Sequence, residues 1–297
     1  MEAISWDEFR LVKAIAETKS LGGAAEALSL NHSTVFRRLN ALESAIGSRL
    51  FERSRTGYAP TPAGEEMVLL AARMAEDVTD FERKVAGRDL KPSGELRVTT
   101  NDSLVAHLLT PLFGAFCRSC PDIRLDVVID NRALNLSKRD ADVAIRATSQ
   151  PPETLVGRRI AEIGWTVYGR PEIASTVDDP LDLADQSWVG FGESIAQLGP
   201  ARWMATEMPQ ARVVYRLNTV LGLAQAVESG IGVGMLPCFI GDRTAGLIRL
   251  APKAMQFGGA LWLLTHPDMK ASARVRAFLD FMGRELTRHR GLLEGRP

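Results

Sequence analysis

Apolar residues in the first sixty positions recur at helical spacing, in three short blocks separated by polar turns. The first block opens at Ser5 and Glu8, which have capping-box spacing, with Ile4 and Phe9 at the positions of a hydrophobic staple; it predicts a helix to about Glu17 built on Phe9, Val12, Ile15 and Ala16. The second is alanine-rich: Ser20 is a candidate cap for a helix through Ala24, Ala25 and Leu28, whose small side chains permit close approach by another helix. Ser29 and Leu30 form a turn. In the third, Val35, Leu39, Leu42 and Ile46 keep one stripe against a core, which leaves His32, Ser33, Phe36, Arg37 and Asn40 facing outward. Two short helices joined by a tight turn, with donors on the outer face of the second, make a helix-turn-helix suited to the base edges and phosphates of a DNA major groove. The plainer alternative is a packed helix pair.

Beyond Gly47 the period shortens. Leu50 to Arg53 and Tyr58 to Thr61 read as two strands of a β-hairpin with Arg53 and Arg55 near its tip, in the place of a wing. Thr61 followed by Pro62 then starts a helix. Met67, Ala71, Met74, Val78, Phe81 and Val85 follow at alternating four- and three-residue spacing, with charged residues between them. That is the seam of a two-stranded coiled coil, so we expect a dimerisation helix; a stripe packed on the chain's own domain would look the same over this length. Gly87 to Gly94, with Lys91, Pro92 and Ser93, breaks the pattern as a hinge.

From Gly94 onward, short apolar runs alternate with helical segments. Strands are expected at Leu96 to Thr99, Ile123 to Ile129, Asp142 to Ile145, Thr166 to Tyr168, Trp188 to Phe191, Val213 to Leu217 and Ile231 to Leu236. Helices are expected at Leu104 to Cys117 with a restart at Thr110 and Pro111, at Leu134 to Arg139, and at Asn218 to Glu228. This order implies two parallel α/β units. The strand at Gly164 to Tyr168 is read as leaving the first lobe and Ala260 to Thr265 as returning to it, with a closing helix from Ala271 to Arg288.

Composition narrows the classes. The 297 residues are 45% hydrophobic and carry 36 basic against 36 acidic side chains, so any nucleic-acid surface must be local. From Ser33 to Tyr58 five arginines stand against two glutamates. No apolar run reaches the length needed to cross a bilayer, and the N-terminus lacks a basic region followed by an apolar one, so the expectation is a cytoplasmic protein with no membrane partner. Cys117, Cys120 and Cys238 are too few for a disulfide framework, and one Cys-x-x-Cys without a second ligand pair is a poor zinc site, so no metal is expected. The Cys117 and Cys120 pair falls at a helix C-terminus, which does not lower a thiol pKa, and this argues against redox sensing.

Along nearly its whole length the chain resembles the LysR-type transcriptional regulators. Ala24-Ala25-x-x-Leu28, Leu42-Glu43-x-x-Ile46-Gly47-x-x-Leu50-Phe51-x-Arg53 and Thr61-Pro62-Ala63-Gly64 match the family's winged-helix signature. Gly94-x-Leu96-Arg97-Val98, Pro111-x-x-x-x-Phe116, Pro121-x-Ile123, Ala141 to Arg146 and Gly230-Ile231-Gly232-Val233-Gly234-x-Leu236-Pro237 match its effector domain. The resemblance implies a multidomain α/β protein: a winged helix-turn-helix at 1–61, a linker and dimerisation helix at 62–87, a hinge at 88–93, and an effector-binding domain at 94–297. That domain would have two lobes like periplasmic binding proteins, lobe I at about 94–163 and 266–297 and lobe II at about 164–265. It further implies double-stranded DNA, a homodimer or homotetramer, a small-molecule effector of unknown identity with no other cofactor, and RNA polymerase as a partner if the protein activates. Phe36 departs from the serine most common at its place in the family pattern.

The candidate DNA-binding residues are therefore Asn31, His32, Ser33, Thr34, Phe36, Arg37, Arg38, Asn40, Arg53 and Arg55. Arg37 suits guanine or a phosphate, and Asn40 suits adenine. Arg38, nearer the core edge, suits a phosphate or Glu43, while Phe36 fits either a thymine methyl or a gap beside the first helix. For the effector, Thr100, Asn101, Asp102 and Ser103 precede one helix and Asn218 and Thr219 another, where free N–H groups favour an anion, and Arg146 offers a counter-charge. Each is equally explained as a cap or surface ion pair, and Asp102 leaves the ligand's charge open. Two other classes compete. Gly192-Glu193-Ser194-Ile195-Ala196, with His266 and His289 downstream, loosely echoes a hydrolase nucleophile elbow; an exported solute-binding protein would share the two lobes but leave the first ninety residues idle.

Overall fold

The computed structural model describes residues 4–54, 57–85, 92–131, 141–173 and 175–296, which form two compact units, 1–90 and 91–297. Side chains of residues 54, 76, 77, 80 and 82–85 also lie outside the description.

In the first unit, α1 (Trp6–Thr18), α2 (Leu21–Ala27) and α3 (His32–Ile46) precede a hairpin of β1 (Phe51–Ser54) and β2 (Gly57–Pro60), and α4 (Pro62–Val85) follows. Leu11, Val12 and Ile15 of α1, Ala24 and Ala25 of α2, and Val35, Leu39 and Leu42 of α3 form one core with Leu50 and Phe51. Ser20 caps α2 by accepting from Gly23 N at 2.9 Å, and Gly47 ends α3 in the left-handed conformation that favours glycine. The expected capping box at the start of α1 does not form. Ser5 makes no side-chain cap, and Glu8 instead accepts from Arg38 of α3; Ile4 remains exposed, so there is no staple. Glu43, considered as Arg38's partner, accepts from Leu50 N at 2.7 Å and Phe51 N at 3.2 Å, anchoring β1 to α3.

Around Leu50 the backbone is crowded. Thr61 accepts from Gly64 N at 3.1 Å, donates to the Arg49 carbonyl at 2.7 Å, and sets the start of α4; a Cβ on Gly64 would collide with the Leu50 carbonyl. The coiled-coil stripe on α4 is consequently divided. Met67 and Ala71 are buried, Met67 within the winged-helix core, whereas Val78 and Phe81 are exposed, Phe81 at 66%.

The second unit is a mixed nine-stranded sheet in the order β4-β3-β5-β11-β6-β9-β7-β8, with the short β10 (Ile248–Arg249) also on β6. In lobe I, β3 (Gly94–Thr100) pairs in parallel with β4 (Ile123–Ile129) and β5 (Val143–Thr148). In lobe II, β7 (Ser187–Phe191) pairs in parallel with β8 (Arg212–Leu217) and β9 (Val233–Pro237). Two long strands join them: β6 (Val156–Gly169) and β11 (Met255–Thr265), antiparallel to each other. β11 continues onto β5 and β6 onto β9. Only the last third of β6 is legible as an apolar run, because its first half carries Arg158, Arg159 and Glu162.

Helices cover the sheet. After β3 the chain makes α5 (Asp102–Leu104), a π-helical turn Val105–Leu109, and α6 (Thr110–Ser119), so the restart expected at Thr110 coincides with a change of helical pitch. Phe116 of α6 meets Phe278 and Phe281 of α10 (Ala273–Arg288) edge-on at 5.0 and 5.5 Å. Lobe II carries α7 (Gly199–Glu207), α8 (Val220–Glu228) and the short α9 (Cys238–Gly241); α11 (Arg290–Glu294) closes against β6. The helix expected at Leu134 to Arg139 lies outside the described residues, as does most of the expected hinge.

One polar network holds α9 to the sheet. Arg249 donates to Asp242 at 2.7 and 2.6 Å, Tyr168 donates to Asp242 at 2.7 Å, and Arg249 also reaches the Gly295 carbonyl at 3.0 Å. Burial pushes the Asp242 carboxyl upward, but hydrogen bonds from Arg249 and Tyr168 and the Arg249 charge outweigh it and hold the pKa below the ordinary value. A carboxyl whose folded pKa is depressed stabilises the fold above its unfolded pKa, and that contribution disappears as pH falls through the folded value. Asp242→Asn should therefore lower thermal stability at neutral pH and flatten its decline below about pH 4; parallel melting curves across that range would contradict the assignment.

Candidate DNA interface and ligand cleft

The outer face of α3 carries Asn31, His32, Ser33, Phe36, Arg37 and Asn40, all exposed, while Thr34 and Arg38 are half-buried. Phe36 is 50% exposed and takes no part in the core beside α1, so the space-filling alternative has no support in the packing. Arg38 differs from Arg37 two ways: it lies at the core edge, and both its Nε and terminal nitrogen donate to Glu8 Oε1, at 3.1 and 2.8 Å. A guanidinium held there serves the fold first. Arg53 is exposed on β1, and Arg55 lies outside the described residues. Gly57 starts β2, where Tyr58 N donates to the Lys19 carbonyl at 2.9 Å and docks the hairpin on the turn between α1 and α2.

In the second unit a cleft of about 340 Å³ opens where the lobes meet. Asn101, Asp102, Ser103 and Arg146 reach it from lobe I, and Asn218 and Thr219 from lobe II. Thr100 does not. Side chains alternate along β3, so Thr100 shares the face of Leu96 and Val98 and is fully buried in the core, whereas Thr99 turns toward Arg146. The expected anion site before α5 is filled from within. Asp102 Oδ1 accepts from Ser103 N at 2.6 Å, Asn131 Nδ2 donates to Oδ2 at 2.8 Å, and Asp102 N donates to Asn131 Oδ1 at 3.2 Å. Thr219 caps α8 by accepting from Gly222 N at 3.0 Å, which leaves its hydroxyl proton for another acceptor.

The cleft wall includes residues that pattern reasoning missed: Ile163 and Trp165 of β6, Phe239, Phe257, and Gln197 and Leu198 before α7. Trp165 and Phe239 carry no signal in sequence that separates them from core residues, and only the passage of β6 and β11 between the lobes places that part of the core at a cavity wall. Arg146 is 8% exposed, donates to Thr99 Oγ1 at 2.5 Å and to the Asp130 carbonyl, and its pKa is lowered by burial, with the Asp130 charge acting the other way.

The Ser194 hydroxyl donates to the Asn218 carbonyl at 3.4 Å, and among the described residues no imidazole pairs with it. Cys117 is exposed, Cys120 half-buried and Cys238 buried; among the described residues no cluster of three or more His, Cys, Asp or Glu offers a metal site, and no helix is long and apolar enough to cross a membrane.

A winged helix-turn-helix with an exposed, donor-rich second helix, carried on the same chain as a two-lobed α/β domain with an interlobe cleft, defines a ligand-domain transcription factor. Residues 6–65 match the bacterial regulatory helix-turn-helix model of the lysR family and residues 90–287 the LysR substrate binding domain; the chain belongs to the LysR family of transcriptional regulators. It is 27% identical to the HTH-type transcriptional regulator PtxR of Pseudomonas aeruginosa over 93% of this chain and 91% of that protein. It is likewise 27% identical to CrgA of Neisseria meningitidis, over 94% and 96%. The solved structure of CrgA, a LysR-type transcriptional regulator, covers 96% of this chain and 99% of its own with a TM-score of 0.57 at 26% identity. A full-length cysteine-to-aspartate variant of OxyR from Pseudomonas aeruginosa shares the fold with a TM-score of 0.63, covering 96% and 98% at 18% identity. The chain is thus a DNA-binding regulator with an effector-binding domain, from a family whose members bind DNA and form oligomers.

The contrast between the two arginines of α3 is measurable. A double-mutant cycle on Arg38→Ala and Glu8→Ala should return a coupling of about 1 kcal/mol in unfolding free energy, appropriate to a part-buried forked pair, while Arg37→Ala should leave the melting temperature unchanged.

Proposed function

We propose that this regulator reads its operator with the exposed face of α3, steadied by the hairpin, and that a small molecule in the interlobe cleft changes that binding. The observation that carries the reading is the polarity of α3: Val35, Leu39 and Leu42 are sealed in the core, while Phe36, Arg37 and Asn40 stand free on the opposite side. Arg37 is the guanine or phosphate contact, Asn40 the adenine contact, and Phe36 an apolar partner for a thymine methyl. The C-terminal half of α4, where Val78 and Phe81 are exposed, joins two copies. The protein acts in the cytoplasm on double-stranded DNA and, if it activates, together with RNA polymerase.

Sequencing the DNA fragments retained by the purified protein gives the operator. On that operator Arg37→Ala should lose about 1 to 3 kcal/mol, roughly 5- to 150-fold in affinity, if it reads a base; an equal loss on random DNA would reassign it to phosphate. Phe81→Glu should dissociate the oligomer in sedimentation experiments without lowering the melting temperature, and an unchanged oligomer would remove α4 from the interface.

A further inference from the structure

Among the described residues, the charged groups that line the cleft are two arginines, Arg146 and Arg202, and one acid, Asp102. Their circumstances differ. Asp102 is already served by Ser103 N and by the side chain of Asn131, so its two oxygens have donors without a ligand. Arg146 is nine-tenths buried; its terminal nitrogens donate to the neutral Thr99 hydroxyl and Asp130 carbonyl, and the Asp130 charge offsets its burial only in part. Among the described residues its buried Nε–H has no acceptor. A buried donor left unpaired is costly, more so when charged, so the end of the cleft at Arg146 favours an acceptor that brings negative charge. The rest of the wall is different in kind. Ile163, Trp165, Phe239 and Phe257, from two strands and a short helix, present apolar and aromatic surface to the same space.

We propose that the cleft selects a small organic carboxylate with a ring-sized apolar body, the carboxylate set against Arg146 and the body against Trp165, Phe239 and Phe257. The proposal rests on the cleft being the ligand site. Its volume of about 340 Å³ sits at the lower end of small-molecule pockets and accommodates a one- or two-ring acid. Charge and shape divide the work: the guanidinium fork fixes one end of the ligand and the aromatic wall sets how large the other end can be.

The test is a calorimetric titration of the full-length protein with benzoate, phenylacetate and 3-phenylpropionate, each beside its primary amide, which keeps the shape and removes the charge. At least one acid should bind about tenfold or more tightly than its own amide, and Arg146→Gln should abolish that preference. Failure of every acid to bind, parity between acids and amides on the unaltered protein, or a folded Arg146→Gln variant that retains the preference would each overturn the proposal; the acid and amide comparison needs no variant to fold. Val220→Trp, which fills the cleft from the start of α8, separates the two readings. If an acid still binds that variant undiminished, the site lies elsewhere and the cleft reading fails, whereas a blocked variant together with parity of acid and amide would leave the cleft and remove only the carboxylate.

Discussion

Two lobes built from parallel α/β units would ordinarily be two domains, and what prevents this here is the pair of long strands β6 and β11. Each leaves one lobe and enters the other, and they hydrogen-bond antiparallel along the way, so every other strand of the second unit is attached directly or indirectly to them. Strands in the middle of a sheet covered on both faces must be apolar on both faces, and β6 shows this from Ile160 to Tyr168, where nearly all side chains are buried. The cleft is a product of that constraint. Where the strands pass between lobes, Ile163, Trp165 and Leu264 join the core on one side and line the opening on the other. The opposite face at the same level has no room: a Cβ on Gly164 would strike the Glu294 backbone of α11.

In the first unit the equivalent role falls to the region around Leu50. Glu43 from α3 holds the backbone where β1 begins, Thr61 from the end of the hairpin bonds the Arg49 carbonyl, and Gly64 admits α4 against Leu50. Three elements converge on the backbone of three consecutive residues, Arg49, Leu50 and Phe51. The matching stretch of sequence, Leu42-Glu43 through Thr61-Pro62-Ala63-Gly64, is accordingly the part of the winged helix where residue identity is fixed by geometry as well as by hydrophobicity.

Much of this architecture was legible in sequence because it rests on local signals. Val35, Leu39 and Leu42 mark the buried side of α3 by period alone, Thr61 and Pro62 mark the start of α4, and Thr110 marks the helical restart after β3. What was not legible depends on contacts distant in sequence. Glu8 has capping-box spacing but finds Arg38 thirty residues on, because a forked, part-buried guanidinium competes well with one backbone N–H. Thr100 lies in the right segment for the cleft, but alternation along β3 sends it to the opposite face. Asp102 and Asn131 satisfy one another across 29 positions, which no single window reveals. The aromatic wall of the cleft was invisible for a related reason: a buried tryptophan facing a cavity and one facing a core have the same neighbours in sequence.

The divided stripe on α4 has a mechanical meaning. Twenty-four residues of helix extend about 36 Å, and the first turns, through Met67 and Ala71, are embedded in the reading head itself. Such a helix is a lever whose short end is cemented into the DNA-binding core. A twist applied at the Phe81 end cannot be absorbed at a soft joint between helix and head, since none exists there; it either turns the head as one body or must repack the residues around Met67.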